Sequence, residues 1–204
     1  MKVKLTKGEL KRQRDSLRQY ERYLPTLQLK KQQLQLEILL QHNLLEEKKH
    51  ALAGRKKIIA GWACLFVEQK EQLRKFILPA RVETGIKNIA GTDIPVFEKL
   101  EFNPAAYDLF LSPFWYDIAI EAVRLAVSLK EEIKIIENGI DILKQELRIT
   151  TQRVNLFEKV KIPEAEEAIR LIKIYIGDQM ANAVGRSKIA KAKIEEGILT
   201  GAAL

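Results

Sequence analysis

Lys30-Lys31-Gln32-Gln33-Leu34-Gln35-Leu36-Glu37-Ile38-Leu39-Leu40-Gln41-His42-Asn43-Leu44-Leu45 contains neither proline nor glycine and repeats apolar residues three and four apart. That is the rhythm of an amphipathic helix. Followed outward at every seventh residue, it gives Leu10, Leu17, Leu24, Lys31, Ile38, Leu45, Leu52, Ile59, Phe66 and Leu73, apolar everywhere but Lys31. The row three residues ahead, Gln13, Tyr20, Leu27, Leu34, Gln41, Lys48, Arg55, Trp62, Gln69 and Phe76, is patchier. A heptad pattern this long predicts a helix wound around a partner, and from Leu10 to Phe76 it would measure about 100 Å.

The device recurs. Ala119, Ala126, Ile133, Ile140, Leu147 and Val154 form one row, with Ala122, Leu129, Ile136, Leu143, Thr150 and Phe157 three ahead. Prolines divide the chain: Pro25 alone, then Pro79, Pro95, Pro104 and Pro113 close together, then Pro163 alone. The pattern predicts an all-α dominated fold, a long antiparallel two-helix coiled coil with a short β-hairpin inserted at the connection. Residues 1–78 are the first long helix, 79–113 the insert and 114–204 the second long helix.

In that arrangement Phe76 lies near Ala119, and paired positions sum to about 195 along the coil. Pro25 then stands opposite about residue 170 and Pro163 opposite about residue 32, nearly level, so both helices are expected to bend there. The alternative for Pro163 is that it opens a separate helix, with Glu164, Glu166 and Glu167 in its first turn.

The insert reads differently. Val82–Ile89 and Ile94–Phe102 flank the turn-forming Ala90-Gly91-Thr92-Asp93, which predicts a β-hairpin with Pro95 where no ladder donor is required. Phe110, Phe114, Trp115 and Tyr116, with the apolar run Ile58–Val67, are expected to build a small core at one end of it. Any surplus apolar surface there would be a docking face. Cys64, inside that run, is expected to be a buried small hydrophobe. His42 and His50 lack metal-ligand spacing and read as solvated side chains.

Composition removes several classes. In 204 residues with 47% hydrophobic content, a disordered tail is excluded. The longest charge-free run, Ile58–Val67, is too short for a membrane span, which needs about 18 residues. No secretory signal follows Met1-Lys2-Val3-Lys4, so a cytoplasmic protein is expected. There is no Gly-Lys pair for a P-loop, no Gly-x-Ser-x-Gly elbow, no His-Glu-x-x-His and no Gly-x-Gly-x-x-Gly, so no catalytic residue, metal ligand or cofactor site is assigned.

The net charge is +8. Residues 1–78 hold 18 basic and 8 acidic side chains, 79–113 hold 3 and 5, and 114–204 hold 14 of each. Lys2, Lys4, Lys7, Lys11, Arg12, Arg14, Arg18 and Arg22 cluster near one terminus, and Arg186, Lys188, Lys191 and Lys193 near the other. Antiparallel pairing would join them into one basic tip. A coiled-coil scaffold that self-associates, or a basic module for nucleic acid or an anionic membrane surface, fits these features too. The basic clusters carry no aromatic stacking platform.

Arg153-Val154-Asn155-Leu156-Phe157-Glu158, then Ile162-Pro163-Glu164, and later Ser187-Lys188-Ile189-Ala190-Lys191-Ala192-Lys193 resemble the D subunit of V-type and A-type ATP synthases. The opening Leu5-Thr6-Lys7-Gly8-Glu9-Leu10 is similar to that family's start, as is the order helix, hairpin, helix. Tyr23-Leu24-Pro25-Thr26-Leu27-Gln28-Leu29-Lys30-Lys31 departs from the glycine followed by Leu-Leu-Lys that many members carry, which suggests a divergent bacterial branch.

The resemblance implies a non-catalytic central rotor shaft without a cofactor, peripheral to the membrane. Its basic tip, Lys7, Lys11, Arg12, Arg14, Arg18, Arg186, Lys188 and Lys191, would face the hexamer of A and B subunits. The hairpin end would join the F subunit and the funnel-shaped subunit on the membrane ring. ATP synthesis or hydrolysis would thereby be coupled to proton or sodium transport.

Overall fold

The computed structural model describes residues 4–62, 64, 70–108 and 112–201. In chain order the elements are α1 (Lys7–Ala60), α2 (Lys70–Ile77), β1 (Pro79–Ile89), β2 (Thr92–Phe102) and α3 (Tyr116–Leu156), then a π-helical turn (Phe157–Lys161) and α4 (Ile162–Gly201). The expected helical hairpin with an inserted β-hairpin is present. Contacts divide the chain into two compact units, Leu29–Thr151 and the pair of segments Met1–Gln28 and Gln152–Leu204.

In the unit Leu29–Thr151, α1 and α3 pair through the heptad rows. Leu45 and Leu52 pack with Ala126, Ile133, Ile136 and Ile140, and Ile59 and Leu129 close the cluster. Ion pairs flank it: Lys30–Glu146 at 2.8 Å, Lys48–Glu132 at 2.9 Å and Lys49–Glu137 at 3.0 Å. These pairs correct the expected register. Partners sum to about 180 rather than about 195, a displacement of roughly four helical turns.

The cause is the end of α1. The helix stops at Ala60, where Gly61 and Trp62 close a tighter turn by donating to Ile58 O and Ile59 O, both at 3.2 Å, and glycine is among the poorest helix formers. The uninterrupted helix to Phe76 is therefore replaced by α1 and the separate α2. Phe76 nevertheless reaches its expected level, beside Tyr116 and Ile120. Of the predicted seam, Phe66 lies outside the described residues, as do Lys2, Val67 and Phe110, and the side chain of Leu73 is likewise not described.

The hairpin does more than cap the connection. Ile94 of β2 is buried with Leu34 and Leu143 in a second cluster, joined by Ile38, Ile89, Ala90 and Leu147. Lys87 reaches Glu37 of α1 at 3.6 Å. Ala90 and Gly91 form the turn with φ of 51° and 78°, the mirror-image turn that matches strand twist. Gly91 N donates to Asn88 Oδ1 at 3.1 Å. Pro95 pairs with Ile86 in a sheet of two strands, where both strands are edges that tolerate a missing donor.

The aromatic core exists with partners other than those expected. Tyr116 and Ile120 pack with Phe76, Ile77, Ala105, Tyr107 and Trp115, whereas Ile58 and Phe114 are exposed. Arg124 ties this corner together, donating to Phe76 O at 2.9 Å and Asn103 O at 2.6 Å. Burial raises the pKa of the Tyr116 hydroxyl. Cys64 is exposed, not buried, because it follows the end of α1 instead of lying within a paired helix.

The hairpin contact is testable by two isoleucines. Ile94→Ala empties a buried site and should cost about 2 to 4 kcal/mol in urea unfolding, whereas Ile86→Ala, at 79% exposure, should stay within about 0.5 kcal/mol. Equal effects would show that the hairpin does not pack as described.

Candidate functional site

The unit that holds both termini carries the basic residues and the family-like motif. Thr6 starts α1 as its cap: its Oγ1 accepts from Glu9 N at 3.3 Å and its carbonyl from Leu10 N at 3.0 Å. Thr6-Lys7-Gly8-Glu9 is the spacing of a capping box. Leu10, Leu17 and Leu24 are half-buried along the inner face of α1, and the Tyr20 and Phe157 rings meet with centroids 5.3 Å apart.

The residues from Arg153 to Pro163 divide by role. Val154 is buried on the seam, while Arg153, Asn155, Glu158 and Pro163 are exposed. The π turn falls inside this stretch, with Ile162 N–H donating to Phe157 O. Proline has no donor and its ring crowds the carbonyl four residues back, so a wider turn just ahead of Pro163 relieves that crowding.

The turn has a second effect. A strict heptad from Val154 and Phe157 would continue at 161, 164, 168, 171 and 175. The structure buries Ala165, Ala168, Ile169 and Ile172 and partly covers Ile162 and Ile176. One extra residue, taken up by the π turn, keeps the seam in phase as 162, 165, 169, 172 and 176. That displaced row was visible in the sequence, and the heptad reading ended at Phe157 without it.

The two prolines are not level. Tyr20 lies against Phe157, which puts Pro25 opposite about residue 152 and Pro163 opposite about residue 14, some 15 Å apart along the pair. Helix α1 runs unbroken through Pro25, and the helical path continues from the π turn through Pro163 into α4. Pro163 thus neither breaks the helix nor opens a separate one.

Lys7, Lys11, Arg12, Arg14, Arg18, Arg186, Lys188 and Lys191 are all exposed. Antiparallel pairing brings the two clusters together, since Leu5, Thr6 and Lys7 share a groove with Tyr175, Met180 and Arg186. Among the described residues only Lys191 of these has a carboxylate within ion-pair distance, Glu195 at 3.7 Å. The positive charge is therefore turned outward and largely uncompensated. Glu167, by contrast, holds Arg170 at 2.6 Å, and that hydrogen bond keeps its carboxyl below the usual range.

Among the described residues, no group of three histidine, cysteine or carboxylate side chains is arranged to hold a metal ion, and no helix is long and apolar enough to cross a membrane. The site is a surface of charge and shape.

Residues 9–192 match the family described as the D subunit of ATP synthase. The chain is 45% identical over 193 residues to the D subunit of the V-type ATP synthase of Borreliella burgdorferi, covering 95% of each chain. It is 32% identical over 207 residues to that of Chlamydia pneumoniae, covering 96% of this chain and 94% of the relative.

A pair of lysine deletions tests the phase-keeping turn. Removing Lys159 should convert the π turn to α-helix, leave the inward residues in place and change stability by less than about 1 kcal/mol. Removing Lys144, equally exposed in α3, rotates Leu147, Thr150 and Val154 by about 100° off the seam and should cost about 3 kcal/mol or more in urea unfolding. Comparable losses would remove the phase argument.

Proposed function

Because the chain belongs to the D-subunit family of ATP synthases, we propose that it is the non-catalytic central-stalk subunit of a V-type rotary ATPase. The observation that carries this reading is the unbroken family match over residues 9–192, which spans both long helices and the hairpin between them. In this reading the protein transmits torque between the catalytic A and B subunits and the ion-translocating membrane ring, in the direction of ATP synthesis or hydrolysis. It sits in the cytoplasm, peripheral to the membrane.

The physical features support such a part. Torque demands an element that resists twisting and separation. Interlocked side chains along two helices, each contributing about 1.5 to 3 kcal/mol on burial, hold a pair together where a single helix would flex. The unit with both termini enters the hexamer of A and B subunits, its exposed basic residues meeting acidic surface there. The β-hairpin unit joins the F subunit and the funnel-shaped subunit seated on the ring. Pro25 and Pro163 shape the inserted unit so that it presses the catalytic sites unequally.

Affinity isolation of the tagged chain from its source cell in mild detergent should bring the A, B and F subunits with it, and their absence would defeat the assignment. Arg12→Glu, Arg14→Glu and Arg18→Glu together should reduce the recovered A and B subunits at least tenfold at low salt, with the F subunit retained; undiminished recovery would refute the basic-tip contact. Pro25→Ala with Pro163→Ala should lower ion pumping per ATP hydrolysed, and unchanged coupling would exclude their proposed role.

A further inference from the structure

The β-hairpin joins the rest of the chain at two points, Leu78 before Pro79 and Asn103 after Phe102, and one side chain holds both. Arg124 of α3 donates from Nε to Phe76 O at 2.9 Å and from Nη2 to Asn103 O at 2.6 Å, while its guanidinium lies over the Phe102 ring, 5.1 Å from the centroid. The two N–H groups leave one edge of a rigid plane in the same direction, the fork that ordinarily takes a single carboxylate. Here it spans two carbonyls, one from each side of the hairpin. Both fall outside regular hydrogen bonding. Phe76 is in the last turn of α2, where carbonyls lack helical partners and the helix dipole favours a cation. Asn103 stands beyond the last ladder pair, Pro79 with Phe102.

A two-stranded hairpin by itself is marginal in water, so its persistence depends on what it is attached to. The far end is held by Ile94, buried with Leu34 and Leu143, and by Lys87 on Glu37. From Ile94 back to Phe102 runs about 26 Å of strand, and along the hairpin Val82, Ile86 and Val96 are exposed. The two anchors differ in kind. Apolar contact at the tip resists separation but has no direction. Hydrogen bonds to a planar cation are directional, so the root resists sliding and rotation of the hairpin against α3.

We infer that Arg124 is a positioning residue that fixes the root of the hairpin on α3, and that force applied to the hairpin reaches the helices through it. The route of force rests on the stalk reading, in which torque passes through this unit; the positioning does not. Lysine is no substitute, because it keeps the charge and the stem but has no plane to lie on Phe102 and no fixed fork.

Hydrogen exchange on the full chain and ion pumping by the assembled ATPase test this. In the chain alone, Arg124→Gln should speed exchange at Val82, Leu100 and Phe102 at least about tenfold, while Ile136 to Leu143 of α3 keep their protection. Arg124→Lys should still exchange at least about fivefold faster there than the unaltered chain. Arg148→Gln, which removes an exposed arginine from the same helix, should change nothing. In complexes holding equal amounts of the chain, both Arg124 variants should pump fewer ions per ATP hydrolysed than the Arg148→Gln complex. Unchanged exchange at the root would overturn the positioning role, and full recovery with lysine would overturn the fork. If Arg124→Gln also unfolds α3, the lysine variant decides. Faster exchange with unchanged pumping per ATP would overturn the route of force alone. A chain that never enters the complex would defeat the stalk reading and leave the exchange result standing.

Discussion

In the unit Leu29–Thr151, α1 and α3 each bury one face against the other, and the rest of that unit follows from how this seam is filled. Along its 54 residues α1 buries only Leu34, Leu45 and Leu52. Helix α3 buries many more, from Ala119 through Ile133, Ile136 and Ile140 to Leu143. The difference arises because α3 is covered by α1 and also approached by the hairpin, with Ile94 and Pro95 close over Gly139. The flanking lysine–glutamate pairs do not set the register by strength, since partly exposed pairs contribute only about 0 to 1 kcal/mol each. Side-chain volume in the seam sets it, and the ion pairs are compatible with the result.

Much of this was legible in residue spacing, and what was not has a definite cause. The inward faces follow from the seven-residue rows because burial demands them. The hairpin follows from Ala90-Gly91 between two strand-like runs. Periodicity, however, does not see an interruption when the apolar residues continue in phase beyond it, as Phe66 and Leu73 follow Ile59 at seven-residue steps past the end of α1. The register then fails with it, because pairing depends on how many residues the connection consumes. The π turn escaped for the converse reason: it absorbs the one residue that a heptad count would treat as a loss of pattern. In the basic tip, the residue types and their clustering were readable, while the scarcity of ion pairs among the described residues became visible only with the fold.

Local preference and tertiary packing disagree at one instructive point. Ala90 adopts a left-handed conformation, φ 51°, that costs a side chain with a Cβ about 1 to 2 kcal/mol relative to glycine. Asparagine would suit the turn better. Yet Ala90 packs against the cluster of Leu34, Ile94 and Leu143, where a polar amide would need a partner. Contact with the helices outweighs the turn's own preference, which is the same ordering of effects that lets α1 pass through Pro25 without ending.

The basic residues near the termini present the opposite balance, since little among the described residues rewards them. Lys7 and Lys11, and Arg14 and Arg18, are like charges four apart on one helix, each such pair destabilising by about 0.2 to 0.5 kcal/mol. Among the described residues Lys191 is the one tip residue with a carboxylate within ion-pair distance, although Asp15 shares a groove with Lys7, Lys11, Arg14 and Arg18. A stability argument would replace half of them with glutamate. In the proposed reading, acidic surface outside the chain returns the free energy that these like-charge pairs forgo in isolation. Salt should weaken that association much more than it affects the seam, which is held by apolar side chains and whose flanking ion pairs contribute little.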